Sequence, residues 1–297
     1  MRKRKIGFQG EIGAFSQQAA RQILGDDIEV APFQRFEDVF RALEAKQTDA
    51  AVIPIENTLH GSVHENYDHL LHYSFRIVGE TNVRIVHNLI AVPGVKFRDV
   101  KKVYSHPVAL NQCLDFFAQF PHIERTSFYD TAGSVRMLMQ EQPKDSAAIA
   151  SSVAAEIYGA HILKRSIEDD RQNFTRFFLL NGSKTVPPLD QGSKGWKTSL
   201  VFTTGNVPGS LFRCLAVFAL RDLSLTKIES RPLRGKPWEY LFYVDLLGHE
   251  DDEPVQKALG HLRELTDFSR VLGTYPSGPP RARGRITDKP ASRAGRP

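Results

Sequence analysis

The stretch IVGETNVRIVHNLIAV, residues 77–92, decides the fold. It falls into two β-branched apolar runs, 76–81 and 84–92, with almost no turn signal between them. A hairpin would need an Asn-Gly type of turn at that point. The segment therefore reads as chain leaving one α/β lobe and entering another. On both sides of it, β-branched runs alternate with amphipathic helical patterns. Strands are expected at 5–9, 28–33, 50–55, 102–104, 124–128, 147–150 and 177–180, and helices at 15–24, 36–46, 108–119, 131–142 and 151–158. A second crossing near 163–170 returns the chain, giving one lobe from 5–80 with 163–183 and another from 81–162. Two lobes joined by two crossovers enclose a cleft, and ligands of such folds bind beyond the carboxyl ends of the strands.

Residues 181–195, NGSKTVPPLDQGSKG, change the composition abruptly and read as a linker, placed at 184–195. Past it the pattern becomes strand (197–203), helix (208–221), strand (224–232), strand (238–247), helix (254–265) and strand (268–274). This βαββαβ order is that of a ferredoxin-like domain, expected over 196–276. In its first helix Leu211, Leu215 and Phe218 fall at i, i+4 and i+7, which gives one face to pack on the sheet. The Pro, Gly and Arg of 277–297 suggest a disordered basic tail.

With 41% apolar and 25% charged residues in 297, the chain has the composition of a globular protein with more than one domain. It contains no run of the ~18–20 apolar residues that a membrane span requires. The start, MRKRKIGF, is basic but lacks an apolar signal core, and the two cysteines, Cys113 and Cys214, lie in apolar helical patterns. A cytoplasmic protein with reduced thiols is expected. The formal charge of +5 suggests nucleic acid, but its location argues against that reading. Residues 2–5 carry four positive charges and the tail six, with one negative, which leaves 29 basic and 33 acidic residues in the body. A body of net charge −4 offers no basic stripe for a phosphate backbone.

Several strand-to-helix turns are small, hydroxyl-bearing and able to cap helices: Gly10-Glu-Ile-Gly13-Ala-Phe-Ser16, Ser105-His-Pro107, Asp130-Thr131-Ala132-Gly133 and Ala150-Ser-Ser152. Each places free backbone N–H groups at a helix N-terminus, which favours anions, and several such turns around one cleft suit a substrate with more than one carboxylate. The run 51–58 ends an apolar strand with Glu56, Asn57 and Thr58, where a charge needs a partner or a function. Asn173-Phe-Thr175-Arg176-Phe177 stands at the return crossing, with Arg176 able to hold a carboxylate through two hydrogen bonds. His60 with His64, and His69 with His72, have helical spacing but no HExxH pattern, and read as a solvated helix face. No phosphate loop, GxGxxG or GxSxG motif occurs, so no metal, nucleotide or hydrolase triad is expected.

Taken together and in order, Gly10-x-x-Gly-Ala-Phe-Ser16, Pro54-Ile-Glu-Asn-Thr58, Ser105-His-Pro107, Asp130-Thr-Ala132 and Asn173-x-Thr-Arg-Phe177 resemble the motifs of prephenate dehydratases. The region after the linker resembles their ACT regulatory domain, with Gly209-Ser210-Leu211 and Glu229-Ser230-Arg231-Pro232 similar to its GAL and ESRP effector motifs. The resemblance covers residues 5 to about 276. It implies a two-lobed, periplasmic-binding-protein-like catalytic region that converts prephenate to phenylpyruvate, water and carbon dioxide without a cofactor. It also implies feedback by L-phenylalanine held between paired ACT domains, hence a homodimer or homotetramer. By motif, Thr175 is the first catalytic candidate, with Arg176, Glu56 and Asn57 beside it. Gly13, Ser16, Thr58, Ser105, Gln112, Thr131, Ala132, Asn173 and Phe177 are the implied substrate-binding residues. Arogenate dehydratase, whose substrate carries an amino group in place of the side-chain keto group, would have the same fold and motifs. A non-catalytic amino-acid sensor is the rival from another class, and the intact Thr175-Arg176-Phe177 speaks against it.

Overall fold

The computed structural model describes residues 2–181, 195–233, 235–236 and 239–277. The linker expected at 184–195 and the tail at 277–297 lie outside the described residues, apart from Gly195 and Ser277.

The first lobe runs β1 (Arg4–Gln9), α1 (Phe15–Leu24), β2 (Ile28–Phe33), α2 (Phe36–Glu44), β3 (Ala50–Asn57), β4 (Gly61–Ser62), α3 (His64–His72) and β5 (Arg76–Arg84). The chain then crosses to β6 (Asn88–Ala91), a short 3-10 turn, β7 (Lys102–Ser105), α4 (Pro107–Asn111), α5 (Leu114–Gln119), β8 (Glu124–Ser127), α6 (Thr131–Glu141), β9 (Ser146–Ala150), α7 (Ser152–Tyr158) and β10 (His161–Lys164). It returns as β11 (Phe174–Asn181), which inserts antiparallel between β3 and β5. The sheet orders are β2-β1-β3-β11-β5, with β4 on β3, and β10-β6-β9-β7-β8. These are the two lobes anticipated from residues 77–92, but the crossings fall later than expected. β5 stays in the first sheet to Arg84 and β10 belongs to the second, so the lobes exchange chain at 85–87 and 165–173.

The third sheet is formed by β12 (Trp196–Thr204), β13 (Leu225–Pro232), β14 (Tyr240–Leu247) and β15 (Ser269–Pro276), in the order β13-β14-β12-β15, with α8 (Ser210–Ala219) and α9 (Glu253–Leu265) packed on it. Its other face is largely covered by the first lobe. Val201, Leu241, Tyr243, Leu272 and Tyr275 join Phe40, Ile53, Tyr67, Leu70, Ile77 and Phe178 of the first lobe in one apolar core. The approach is close enough to select a residue type: a Cβ on Gly273 would collide with the backbone of Ile77.

Two local departures from the sequence reading shape the cleft. The helix expected at 108–119 is broken at Gln112–Cys113. Asp169 of the return crossing donates its N–H to the Gln112 carbonyl at 2.8 Å and accepts with its carboxylate from the N–H groups of Leu114 and Asp115, at 2.8 and 3.0 Å. The break therefore has a partner for each freed backbone group. In β3 the pairing with β11 slips at Ile55, between Phe177↔Pro54 and Arg176↔Glu56. Pro54 has no N–H to give to a ladder and is tolerated at such a bulge.

Candidate active site

A cavity of about 440 Å³ lies between the lobes, at the carboxyl ends of parallel strands from both sheets. The bulge in β3 sets what β3 shows to it. Side chains alternate along a strand, so Pro54 and Glu56 would ordinarily share a face. The extra residue shifts that parity, and Pro54 and Asn57 line the cavity while Glu56 does not. On the paired strand Thr175 faces the same space.

Asn57 Nδ2 donates to Thr175 Oγ1 at 3.0 Å and to Asn173 Oδ1 at 2.8 Å. Its Oδ1 accepts from the N–H groups of Leu59 and His60, at 2.9 and 3.0 Å, which fixes the amide orientation. Since the Thr175 oxygen already accepts from Asn57, its own O–H is free to donate into the cavity. Across the cleft Gln112 Nε2 donates to His60 Nδ1 at 3.2 Å, while its Oε1 lies 2.7 Å from His87 Nε2. Burial holds His87 and His106 below the ordinary histidine pKa, so both are neutral at pH 7. His106 accepts from the N–H of Val108 through Nδ1 and caps α4. Tyr129 donates to Glu11, and Arg136 holds both, which clasps the two lobes at the rim. Burial and the bond to Glu11 push the Tyr129 hydroxyl up to about 12. Asp130 caps α6 by accepting from Gly133 N at 2.7 Å, and burial raises its pKa.

Of the residues singled out from sequence, Thr175, Asn57, Ser16, Gln112 and Thr131 line this cavity. Two catalytic candidates do not. Arg176 is buried on the opposite face of β11, with Glu80 Oε2 2.7 Å from its Nε, Asp245 Oδ2 2.6 Å from Nη1 and Tyr275 Oη 3.1 Å from Nη2. Burial lowers its pKa, and Asp245, Tyr275 and Glu80 more than reverse this, so it stays charged and ties the first lobe to the third sheet. Glu56 turns the same way, 3.5 Å from Lys227 and 3.9 Å from Arg176. Strand alternation is the reason: neighbours on β3 and β11 cannot both face one cleft.

The remaining candidates support the cavity from behind. Asn173 is buried and holds Asn57, and Thr58 Oγ1 donates to the Gln172 carbonyl while accepting from Phe174 N. Ser105 is buried and donates to the Ile149 carbonyl at 2.6 Å, and Ala132 and Phe177 belong to apolar cores. Gly13 has φ +93°, and a Cβ there would meet the backbone of Ala154 at 2.8 Å, so it lets α7 close on the first lobe. His60, read as a solvated helix face, lines the cavity instead, as do His87, His106, Tyr129 and Asp130. His106 and Asp130 stand inside turns already marked by their caps, whereas His60 and His87 carry no local signal.

In the third sheet, Lys227, Glu229 and Arg231 alternate towards the first lobe. Glu229 accepts from Ser62 Oγ at 2.7 Å and lies 3.1 Å from His64 Nε2, and Arg231 meets Asp68 at 3.3 Å. Ser230 and Pro232 face outward. Gly209, with φ +79°, is the N-cap of α8, Ser210 donates to the Gly205 carbonyl, and Leu211 packs on the apolar core under the helix.

Comparison with known proteins agrees with this arrangement. The family described as prephenate dehydratase matches residues 6–185, and the ACT domain matches 198–263. A relative from Arabidopsis thaliana named arogenate dehydratase/prephenate dehydratase 2, chloroplastic, is 43% identical over 281 residues, covering 92% of this chain and 72% of its own. A prephenate dehydratase from Arthrobacter aurescens, solved in complex with L-Phe, superposes with a TM-score of 0.83 at 30% identity, over 92% of this chain and 90% of that one. GqqA, described as a novel type of quorum quenching acylase, superposes with a TM-score of 0.84 at 32% identity, over 93% and 99%.

Proposed function

Because the chain belongs to the prephenate dehydratase family and carries an ACT domain after its catalytic region, we propose that it converts prephenate to phenylpyruvate, water and carbon dioxide under feedback by L-phenylalanine. Arogenate is the second substrate reading, favoured by the double name of the Arabidopsis relative.

The reaction breaks the bond from the ring to its carboxylate and the bond from the ring to its hydroxyl. The electron pair of the first becomes part of the aromatic ring, carbon dioxide departs, and the hydroxyl leaves with one added proton as water. The driving force is aromatisation, so the protein must mainly hold the geometry and ease the departure of the hydroxyl. The Asn57–Thr175 pair carries the reading. An amide held by five hydrogen bonds donates to the Thr175 hydroxyl oxygen and leaves that hydroxyl's proton available to the leaving oxygen. The start of α1, which has no side-chain cap, and that of α6 at Thr131 supply backbone N–H groups for substrate carboxylates. Gln112, fixed between His60 and His87, adds a placed amide.

Phenylalanine would bind between paired ACT domains through residues 209–211 of one and 229–232 of the other. Phe212 of α8 and Leu220 just after it, 75% and 78% exposed, and Ile228 of β13 give such a pair apolar surface, which supports a homodimer or homotetramer. The cytoplasm is the compartment we propose: Cys113 and Cys214 are free and buried, and no helix among the described residues is long and apolar enough to cross a membrane.

The test is formation of phenylpyruvate from prephenate by the purified chain, with and without phenylalanine and with arogenate in parallel. Prephenate turnover that falls on adding phenylalanine supports both halves. Absence of turnover on either substrate removes the enzymatic reading and favours an amino-acid sensor.

A further inference from the structure

We infer that His60 donates from Nε2 to the side-chain carboxylate of the bound substrate, the carboxylate that remains in the product. This rests on the dehydratase reading above and deepens it, since that reading gives His60 no contact with the substrate.

No lysine or arginine among the described residues lines the cavity. A dianion entering it meets amides, hydroxyls, backbone N–H groups and the imidazoles of His60, His87 and His106. These three rings differ in what they have left to give. His87 is buried, its Nε2 lies against Gln112 Oε1, and its Nδ1 is enclosed with no partner among the described residues. His106 caps α4 through Nδ1 and stands in the field of Asp130, whose charge opposes a second anion beside it. His60 is exposed on the cavity wall. Its ring has one bond among the described residues, at Nδ1, from Gln112 Nε2 at 3.2 Å.

That bond fixes which ring nitrogen carries the proton. An amide nitrogen only donates, so Nδ1 of His60 accepts and the ring proton sits on Nε2. The oxygen of the same amide holds His87 Nε2 at 2.7 Å, which keeps the amide from turning over. The backbone is tied as well, because His60 N donates to Asn57 Oδ1 at 3.0 Å. The ring therefore offers an N–H to a ligand from a turn anchored on the amide that holds Thr175.

The reaction decides which carboxylate takes it. The ring carboxylate departs as neutral carbon dioxide, so a donor on it would hold the ground state more than the transition state and slow the step. The side-chain carboxylate keeps its charge from substrate to product, and a bond to it lowers KM without changing kcat. Prephenate and arogenate both carry that group. The competing account is that His60 only holds Gln112 in place.

Two variants separate these accounts. An asparagine amide reaches as far as Nδ1 of a histidine and a glutamine amide as far as Nε2, so His60→Asn keeps an acceptor for Gln112 and removes the donor to the substrate, while His60→Gln does the reverse. The measurements, on the full chain and both variants, are kcat and KM on whichever of prephenate and arogenate is turned over, and phenylpyruvate binding by equilibrium dialysis. Phenylpyruvate retains the side-chain carboxylate and lacks the ring carboxylate and hydroxyl. His60→Asn is expected to raise KM roughly 10- to 100-fold and to weaken phenylpyruvate binding by a similar factor at nearly constant kcat, with His60→Gln close to the unaltered chain. Loss in His60→Gln alone would make His60 a support for Gln112 and overturn the inference. A raised KM with unchanged phenylpyruvate binding would overturn it by placing His60 on the departing carboxylate, and a fall in kcat at constant KM by placing it at the reacting bonds. Absence of turnover by the unaltered chain on both substrates would remove the dehydratase reading and this inference together, whereas turnover with a KM that neither variant moves removes the inference alone.

Discussion

Thr175 and Arg176 are adjacent in sequence and face opposite sides of β11. The threonine hydroxyl lies 3.0 Å from Asn57 Nδ2 on the cavity wall, and the arginine is held between Glu80 and Asp245 under the third sheet. The two substitutions should therefore fail differently. Thr175→Ala is expected to lower kcat roughly 100- to 1,000-fold with an unchanged melting temperature, and Thr175→Ser to restore much of it. Arg176→Ala leaves the buried Asp245 without its cation, while Glu80 keeps Lys197, and should cost about 3–5 kcal/mol of stability, read from denaturant unfolding. Near-normal turnover by a folded Thr175→Ala variant would exclude the role given to Thr175.

Asn57→Asp isolates the donor function of the amide. The carboxylate can still accept from the N–H groups of Leu59 and His60, so the turn persists, but nothing donates to Thr175 Oγ1 or to Asn173. A kcat loss of roughly 10- to 100-fold at nearly constant stability is expected. An unchanged kcat would show that the amide serves only the turn.

These two pairs also mark what could be read from the sequence and what could not. The two lobes, the βαββαβ region and the identity of Thr175, Asn57, Ser16, Gln112 and Thr131 were legible, because periodicity and local motifs are properties of short segments. Motifs do not reveal which way a side chain faces. Glu56-Asn57 and Thr175-Arg176 were each read as units, although strand alternation splits them and the bulge at Ile55 sets the phase. The positions of His60 and His87 arise from contacts with Gln112 over 52 and 25 residues, to which no local pattern corresponds. The break at Gln112–Cys113 likewise depends on Asp169, more than fifty residues away.

Gly273 tests how firmly the third sheet is seated. A Cβ there meets the backbone of Ile77, which cannot rotate away as a flexible side chain could. Gly273→Val should destabilise on the order of 3 kcal/mol and increase protease cleavage near the linker, while Gly260→Ala, whose added Cβ meets nothing within 4 Å, should do neither. Equal tolerance of both would contradict the close approach of β15 to β5.

Burial depresses the folded-state pKa of His87 and of His106, so their neutral forms are favoured in the folded chain. In the unfolded chain each takes up a proton near pH 6.5. Stability is then fully present above that pH and is lost as pH falls through it towards the folded-state values, by up to about 1.4 kcal/mol per pH unit per proton. Asp130 works in the opposite sense, because its raised pKa favours the folded state as acid is added. Urea unfolding at pH 7.5 and 5.5 should show a smaller loss in His87→Gln than in the unaltered chain, since Asp130 is common to both. Identical losses would show that His87 is not held neutral.

The turn that carries His60 and Ser62 into the cavity is also the point where the third sheet grips the first lobe. Glu229 accepts from Ser62 Oγ and pairs with His64, while Lys227 donates to the same serine at 3.0 Å. A ligand that draws residues 229–232 away from the lobe has to pull on this turn, and one that holds them there stiffens it, which gives effector binding a route to the catalytic amides. Coupling of this kind requires a contact that differs between states. His64, like Lys227, is a part of it that neither lines the cavity nor belongs to the effector segments. His64→Ala should leave phenylalanine binding, followed by equilibrium dialysis, and uninhibited turnover close to normal, and should weaken maximal inhibition several-fold. Full inhibition in that variant would mean that the signal travels elsewhere, and loss of phenylalanine binding would mean that the grip forms part of the effector site.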